Sequence, residues 1–131
     1  GMGEYVADQV VKLMLKKGIQ VLGSNVLVLG FTFKENCPDV RNTKVIDIIK
    51  TLEEYNAKVT IHDPWANPAI AKHEYGVELH NELPEKHYDA IILAVAHNEF
   101  KNLDIAHISN GNSVVYDVKG ILSEEVIDGK L

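Results

Sequence analysis

Two short runs, VLVLG at 26–30 and AIILAV at 90–95, are apolar at every position, and SVVYD at 113–117 reads as a further strand. A strand with one wet face alternates polar and apolar residues, whereas a continuous β-branched run needs cover on both faces. That requirement points to a parallel sheet with a helix layer on each side. The segments between the runs supply the helices. Residues 44–56 place Val45, Ile48, Ile49, Leu52 and Tyr55 on one face, with Lys44, Asp47, Lys50, Glu53 and Glu54 around the rest. Asn42 or Thr43 is the expected N-cap of that helix. Asn67 followed by Pro68 opens a second helix to about Tyr75, since proline is tolerated at the first helical position. Residues 3–17 form a third, carrying Val6, Val10, Leu13 and Met14 at helical spacing and ending at Gly18. Residues 58–62 read as a further strand and 77–79 as a short one.

Strands separated by helices imply right-handed crossovers. The expected fold is therefore Rossmann-like α/β, a parallel sheet with helices on both faces, preceded by an N-terminal helix. In such sheets ligands gather beyond the carboxyl ends of the strands. Four segments converge there: Phe31 to Thr43, His62 to Trp65, Ala96 to Phe100, and Val118 to Ile121.

Composition narrows the function classes. The 131 residues suit one domain, and 19 acidic against 13 basic residues give a formal charge of −6. That balance argues against nucleic acid as a partner. No run approaches the roughly 20 apolar residues of a membrane span, so no membrane partner is expected. A single cysteine excludes an internal disulfide and suits a reducing, cytoplasmic setting. The six histidines show no metal-ligand spacing, and no metal is expected.

The segment GFTFKENCPDVRNT, residues 30–43, begins as a phosphate-cradling turn does, with a glycine after a buried strand. The second and third glycines of the dinucleotide fingerprint are missing. Strand-to-helix connections run to about 2–6 residues, so this long one is read as functional. Lys34 is either a solvated lysine or a phosphate or sugar contact. Arg41 either pairs with Asp39 or offers its planar fork to an anion beside a helix N-terminus. Phe33 is read first as a packing residue, the other reading being an aromatic beside Lys34 that leans on a ring. Cys37 has no base at a telling spacing and precedes a proline, which favours a structural turn over a nucleophile. Asp63 stands where a dinucleotide fold carries its ribose-binding acid, but with the glycines degenerate the favoured role is capping the turn before Pro64. A lone His97 is read as hydrogen-bonded structure. Lys119 matters because it shares the ligand edge of an acidic chain with Lys34.

GFTFKENCPDVRNTKVIDII, with HDPWANP, YDAIILAVAHNEF and VVYDVKG downstream, resembles the C-terminal domain of the UDP-sugar 6-dehydrogenases over residues 25–120. The FKENCPDVRNT form resembles most the N-acetylhexosamine branch, which serves bacterial capsule and O-antigen synthesis. The resemblance implies an NAD-dependent enzyme that oxidises the C6 alcohol of a UDP-N-acetylhexosamine or UDP-glucose to a carboxylate. It implies that residues 1–20 end a central helical region and that 21–131 form the UDP-sugar-binding domain. Phe33 and Lys34 then contact the UDP-sugar, and Arg41 reaches the NAD held by an N-terminal domain. Lys119 stands where UDP-glucose dehydrogenases carry a substrate-contacting arginine, keeping the charge but losing the bidentate fork. No catalytic residue falls in this segment. The catalytic cysteine and dinucleotide fingerprint belong to N-terminal and central regions that become its partners, and the isolated segment is expected to be inactive. The whole enzyme is expected to be a homodimer or larger.

Two other classes stay open on the residues alone. One is a stand-alone nucleotide-sugar-binding module. The other is a structural module using the 3–17 helix as an interface.

Overall fold

A computed structural model describes residues 1–131. The chain runs α1 (Met2–Lys16), β1 (Asn25–Leu29), α2 (Val45–Glu54), β2 (Lys58–His62), α3 (Pro68–Tyr75), β3 (Leu79–His80) and β4 (Tyr88–Leu93). A 3₁₀ turn (Asn98–Asn102), α4 (Ile105–Ile108), β5 (Ser109–Asp117) and β6 (Gly129–Lys130) complete it. One six-stranded sheet has the order β3-β2-β1-β4-β5-β6, and every neighbouring pair is parallel.

The strand order explains the two helix layers. From β1 the chain steps outward through β2 to β3, whereas from β4 it steps the opposite way through β5 to β6. Crossovers of one hand in opposite directions must use opposite faces. Val26, Val28, Ala90, Ile92 and Val114 accordingly meet Ile48, Ile49 and Leu52 of α2 and Val6, Val10 and Met14 of α1. The alternate residues, Leu27, Leu29, Ile91, Leu93 and Val115, meet Phe100, Ile105 and Ile108 on the other side. Each fully buried Leu or Ile contributes about 1.5–3 kcal/mol, so a polar residue at any of these positions would be costly. The Val6–Val10–Met14 stripe is packed against the sheet. Gly3 lets α1 cross α2 closely, since an added Cβ there would lie 2.5 Å from the Asp47 Cβ.

The sequence reading of the fold holds, with displaced boundaries. β4 begins and ends two residues earlier than the AIILAV run, because the amides of Ala94 and Val95 both turn onto the Leu29 carbonyl. The strand expected at 77–79 lies at Leu79–His80, and β5 starts at Ser109 rather than Ser113. The cap of α2 differs as well. Lys44 occupies the cap position without a side-chain bond, while Thr43 Oγ1 accepts the Val45 N–H at 3.2 Å. Asn42 is in the left-handed conformation (φ 60°) and caps nothing. Asn67 does cap α3, accepting from the amides of Ala69 and Ile70. The 3₁₀ turn, α4 and β6 had no periodic signal long enough to announce them. No helix is long and apolar enough to cross a membrane.

Candidate functional site

The reversal of direction between β1 and β4 opens a crevice at their carboxyl ends, where such sheets bind ligands. Gly30 leaves β1 at φ 97°, and a Cβ on it would fall 2.5 Å from the Val95 Cβ. Only glycine satisfies both the angle and the approach of the β4 exit. From there the chain enters no helix until Val45, and the intervening loop, residues 31–44, folds back over the edge. The Phe33 amide donates to the Asp39 carbonyl at 2.8 Å, closing the loop on itself.

Asp63, at the end of β2, organises the near side of this loop. It is fully buried, and its Oδ2 accepts the amides of Phe31 (2.7 Å) and Thr32 (3.1 Å). Its Oδ1 accepts those of Trp65 (2.7 Å) and Ala66 (3.0 Å). His97 Nε2 lies 2.9 Å from Oδ2. Burial works to raise the carboxyl's pKa, but the hydrogen bonds from His97, Phe31 and Trp65 prevail and hold it below its usual value. The turn-capping role expected of Asp63 is thus observed, and so is the hydrogen-bonded role expected of His97.

His97 is also fully buried, between the stacked Trp65 ring at 6.1 Å and Phe100 at 5.5 Å. The Asn36 amide donates to its Nδ1 at 2.9 Å, so the ring proton sits on Nε2 and faces Asp63 and Thr32 Oγ1. Thr32 Oγ1 in turn donates to the Lys34 carbonyl at 2.9 Å. The far side of the loop is tied to α3, where the Tyr75 hydroxyl donates to the Val40 carbonyl and the Tyr75 ring meets Phe31 edge-on.

This scaffold pushes a set of side chains outward. Phe33 is 55% exposed, which corrects the packing reading; Phe31, fully buried, is the packing residue. Lys34, Lys44 and Lys119 are exposed, and none has an ion-pair partner. A groove of about 100 Å³ runs between the start of α1, the start of α2 and the edge loops. Thr32, Phe33, Lys44, Val95 and Lys119 are among its lining residues. The structure therefore brings Phe33 and Lys119 together, while Lys34 stands beside the groove without lining it. Arg41 is not gathered there. Its guanidinium grips Asp39 through Nε (3.0 Å) and Nη2 (3.2 Å), the local pairing foreseen as one of its two readings. Cys37 is half-buried and free.

Sequence reasoning missed three contributors. Lys44 looked like one more charge on a helix surface, and Tyr75 like the last residue of a helix. Asn36 carried a signal, since asparagine is enriched at positive φ and here adopts φ 54°. A larger depression, about 540 Å³, lies across the sheet at the amino ends of β4 and β5, lined by residues 83–87, His107 and Ile108. It is remote from the loop. No group of histidine, cysteine and carboxylate side chains has metal-binding geometry.

Residues 27–124 match the model of the UDP-glucose/GDP-mannose dehydrogenase family, UDP binding domain. The chain belongs to that family. It is 50% identical over 133 residues to the UDP-N-acetyl-D-glucosamine 6-dehydrogenase of Salmonella typhi, covering 99% of this chain and 31% of that protein. The enzyme of the same name from Pseudomonas aeruginosa is also 50% identical, over all of this chain and 32% of its own length. The chain thus spans about a third of the length of the curated relatives it matches. The NDP-N-acetyl-D-galactosaminuronic acid dehydrogenase of Methanosarcina mazei superposes with a TM-score of 0.85 at 23% identity, over 98% of this chain and 29% of that one. That likeness shows the fold. The family resemblance read from the FKENCPDVRNT loop is borne out.

Proposed function

We propose that this chain is the substrate-binding domain of an NAD-dependent dehydrogenase acting on a UDP-N-acetylhexosamine, with UDP-glucose as the related alternative. Supporting this is the groove that joins Phe33 to two unpaired lysines, Lys44 and Lys119, on a chain of net charge −6. Local positive charge on an acidic body selects an anion. The dipole of α2, whose first turn lines the groove, adds to it. The 50% identity to two UDP-N-acetyl-D-glucosamine 6-dehydrogenases supports the hexosamine branch.

In this reading Lys34 and Lys119 offset the diphosphate charge, and Phe33 gives an exposed apolar face to a ring. The groove holds about 100 Å³, below the roughly 300–1,000 Å³ of complete ligand pockets. It receives part of the nucleotide sugar, and the remainder is enclosed by N-terminal and central domains, of which residues 1–20 form the end. Oxidation of the C6 alcohol to a carboxylate removes four electrons and takes up water, reducing two NAD. This chain's residues bind and orient; they move none of those electrons.

The residues here do not fit a dinucleotide of their own. The β1–α2 connection has one glycine where the fingerprint has three, and Asp63, at the ribose position, is buried under five donors. Arg41 would exchange Asp39 for the NAD carried by the neighbouring domain. The test is NADH formation by the protein containing this segment. Lys34→Glu should raise KM for UDP-N-acetylglucosamine at least about tenfold, with kcat little changed. Unchanged kinetics in that variant would refute the substrate assignment.

A further inference from the structure

The exposed tripeptide Phe33-Lys34-Glu35 is bonded only within the loop, through the Phe33 amide on the Asp39 carbonyl and through the Lys34 carbonyl, which accepts from Thr32 Oγ1. Its geometry is set by what holds the residues on either side. On the entry side, Asp63 Oδ2 takes the amides of Phe31 and Thr32. On the exit side, His97 Nδ1 takes the amide of Asn36, and Asn36 Oδ1 takes the amide of Asn98. The two clamps come from different strands, β2 and β4, and meet through the bond between His97 Nε2 and Asp63.

We propose that Asp63 and His97 are positioning residues, a buried two-sided clamp that fixes the exposed Phe33-Lys34-Glu35 stretch over the β1–β4 crevice. An apolar side chain would fill the space between Trp65 and Phe100 at lower desolvation cost than an imidazole. What the imidazole adds is direction, because each ring nitrogen engages a different end of the loop. A satisfied buried polar network of this kind holds one arrangement against its competitors. Asn36 strengthens the case. Its left-handed backbone aims the amide at His97 while its side chain reaches Asn98, so the exit is gripped twice. The stem of the clamp needs no ligand; its consequence for binding rests on the reading that Phe33 and Lys34 face the nucleotide sugar.

The two nitrogens of His97 can be tested separately. Asparagine reproduces the position of Nδ1, and glutamine that of Nε2. Amide exchange followed by NMR on this chain reads the result. In His97→Gln, exchange at Asn36 should quicken about tenfold, the loss of one hydrogen bond, with Phe31 and Thr32 little changed. In His97→Asn, Asn36 should stay protected. Leu27 and Ile91, deep in the sheet, report global stability in both. Loss spread evenly over Leu27, Ile91 and Asn36, the same in both variants, would reduce His97 to core filling and overturn the clamp. UDP provides the ligand arm. Its shifts at Phe33 and Lys34 should weaken in His97→Gln and recover in His97→Asn, and equal shifts in all three proteins would overturn the positioning claim. A parent chain that shows the exchange pattern but no shift at these residues with UDP would instead count against the substrate site, leaving the clamp supported.

Discussion

The Tyr75 hydroxyl donates to the Val40 carbonyl at 2.6 Å, tying the end of α3 to the far side of the loop that Asp63 holds on its near side. The same ring meets Phe31 edge-on at 5.3 Å, so one side chain touches both limbs of the loop. Tyr75→Phe keeps the ring contact and removes only the hydroxyl. It should cost about 1 kcal/mol, with faster amide exchange confined to residues around Val40. A loss above about 3 kcal/mol in denaturant melts would mean that the ring itself moves.

Gly30 should tolerate no substitution. Alanine there combines a left-handed backbone angle with a Cβ placed against Val95. The strain and overlap together should cost at least about 2 kcal/mol, measured as a shift in the denaturant midpoint at constant slope. A near-neutral Gly30→Ala would contradict the close approach of the β1 and β4 exits.

Acid should weaken the fold in two stages. Burial holds the His62 pKa below its ordinary value, against an opposing bond to the His80 carbonyl. The unfolded chain then takes the proton first, so stability falls as pH drops below about 6.5 toward the folded value. The Asp63 carboxyl is also held low, so its contribution is present above about pH 4 and lost as pH falls through the folded pKa. Asp63→Asn should erase the lower stage and cost about 3 kcal/mol near neutrality, because an amide NH₂ would face backbone donors. Midpoints of guanidinium unfolding between about pH 3 and about pH 7 follow both stages.

Arg41 and Asp39 form a bidentate pair on the surface, with the Arg41 side chain 82% exposed. Such pairs contribute at most about 1 kcal/mol, so Arg41→Gln should leave the melting midpoint within about 4 °C. The pair is then free to open toward a ligand. A large stability loss would make Arg41 structural and remove it from the cofactor assignment.

The fold was legible because its signal is strong. Continuous apolar runs at 26–30 and 90–95 admit a doubly covered sheet and little else, and Asn67-Pro68 marks a helix start by itself. Shorter pieces were not legible. β6 has two residues, and α4 has four, too few for any period to show. At the site, Asp63 and His97 were correctly read as structural, yet their partnership was invisible, since 34 residues separate them and only the β2–β1–β4 adjacency brings them together. Lys44 escaped notice because a lysine at a helix start carries no local mark of facing a groove. Phe33 was misjudged for a related reason: Phe31 and Phe33 lie in one irregular loop, where no periodicity tells which ring turns inward.

The most direct measurement is an NMR titration of this chain with UDP, repeated with NAD alone and with the Lys119→Glu and Lys34→Glu variants. UDP shifts are expected at residues 31–34, 43–45 and 117–120, weakened by either charge reversal, with no saturating response to NAD. UDP shifts that survive both reversals, or that gather at residues 83–87 and 107–108, would contradict the substrate assignment.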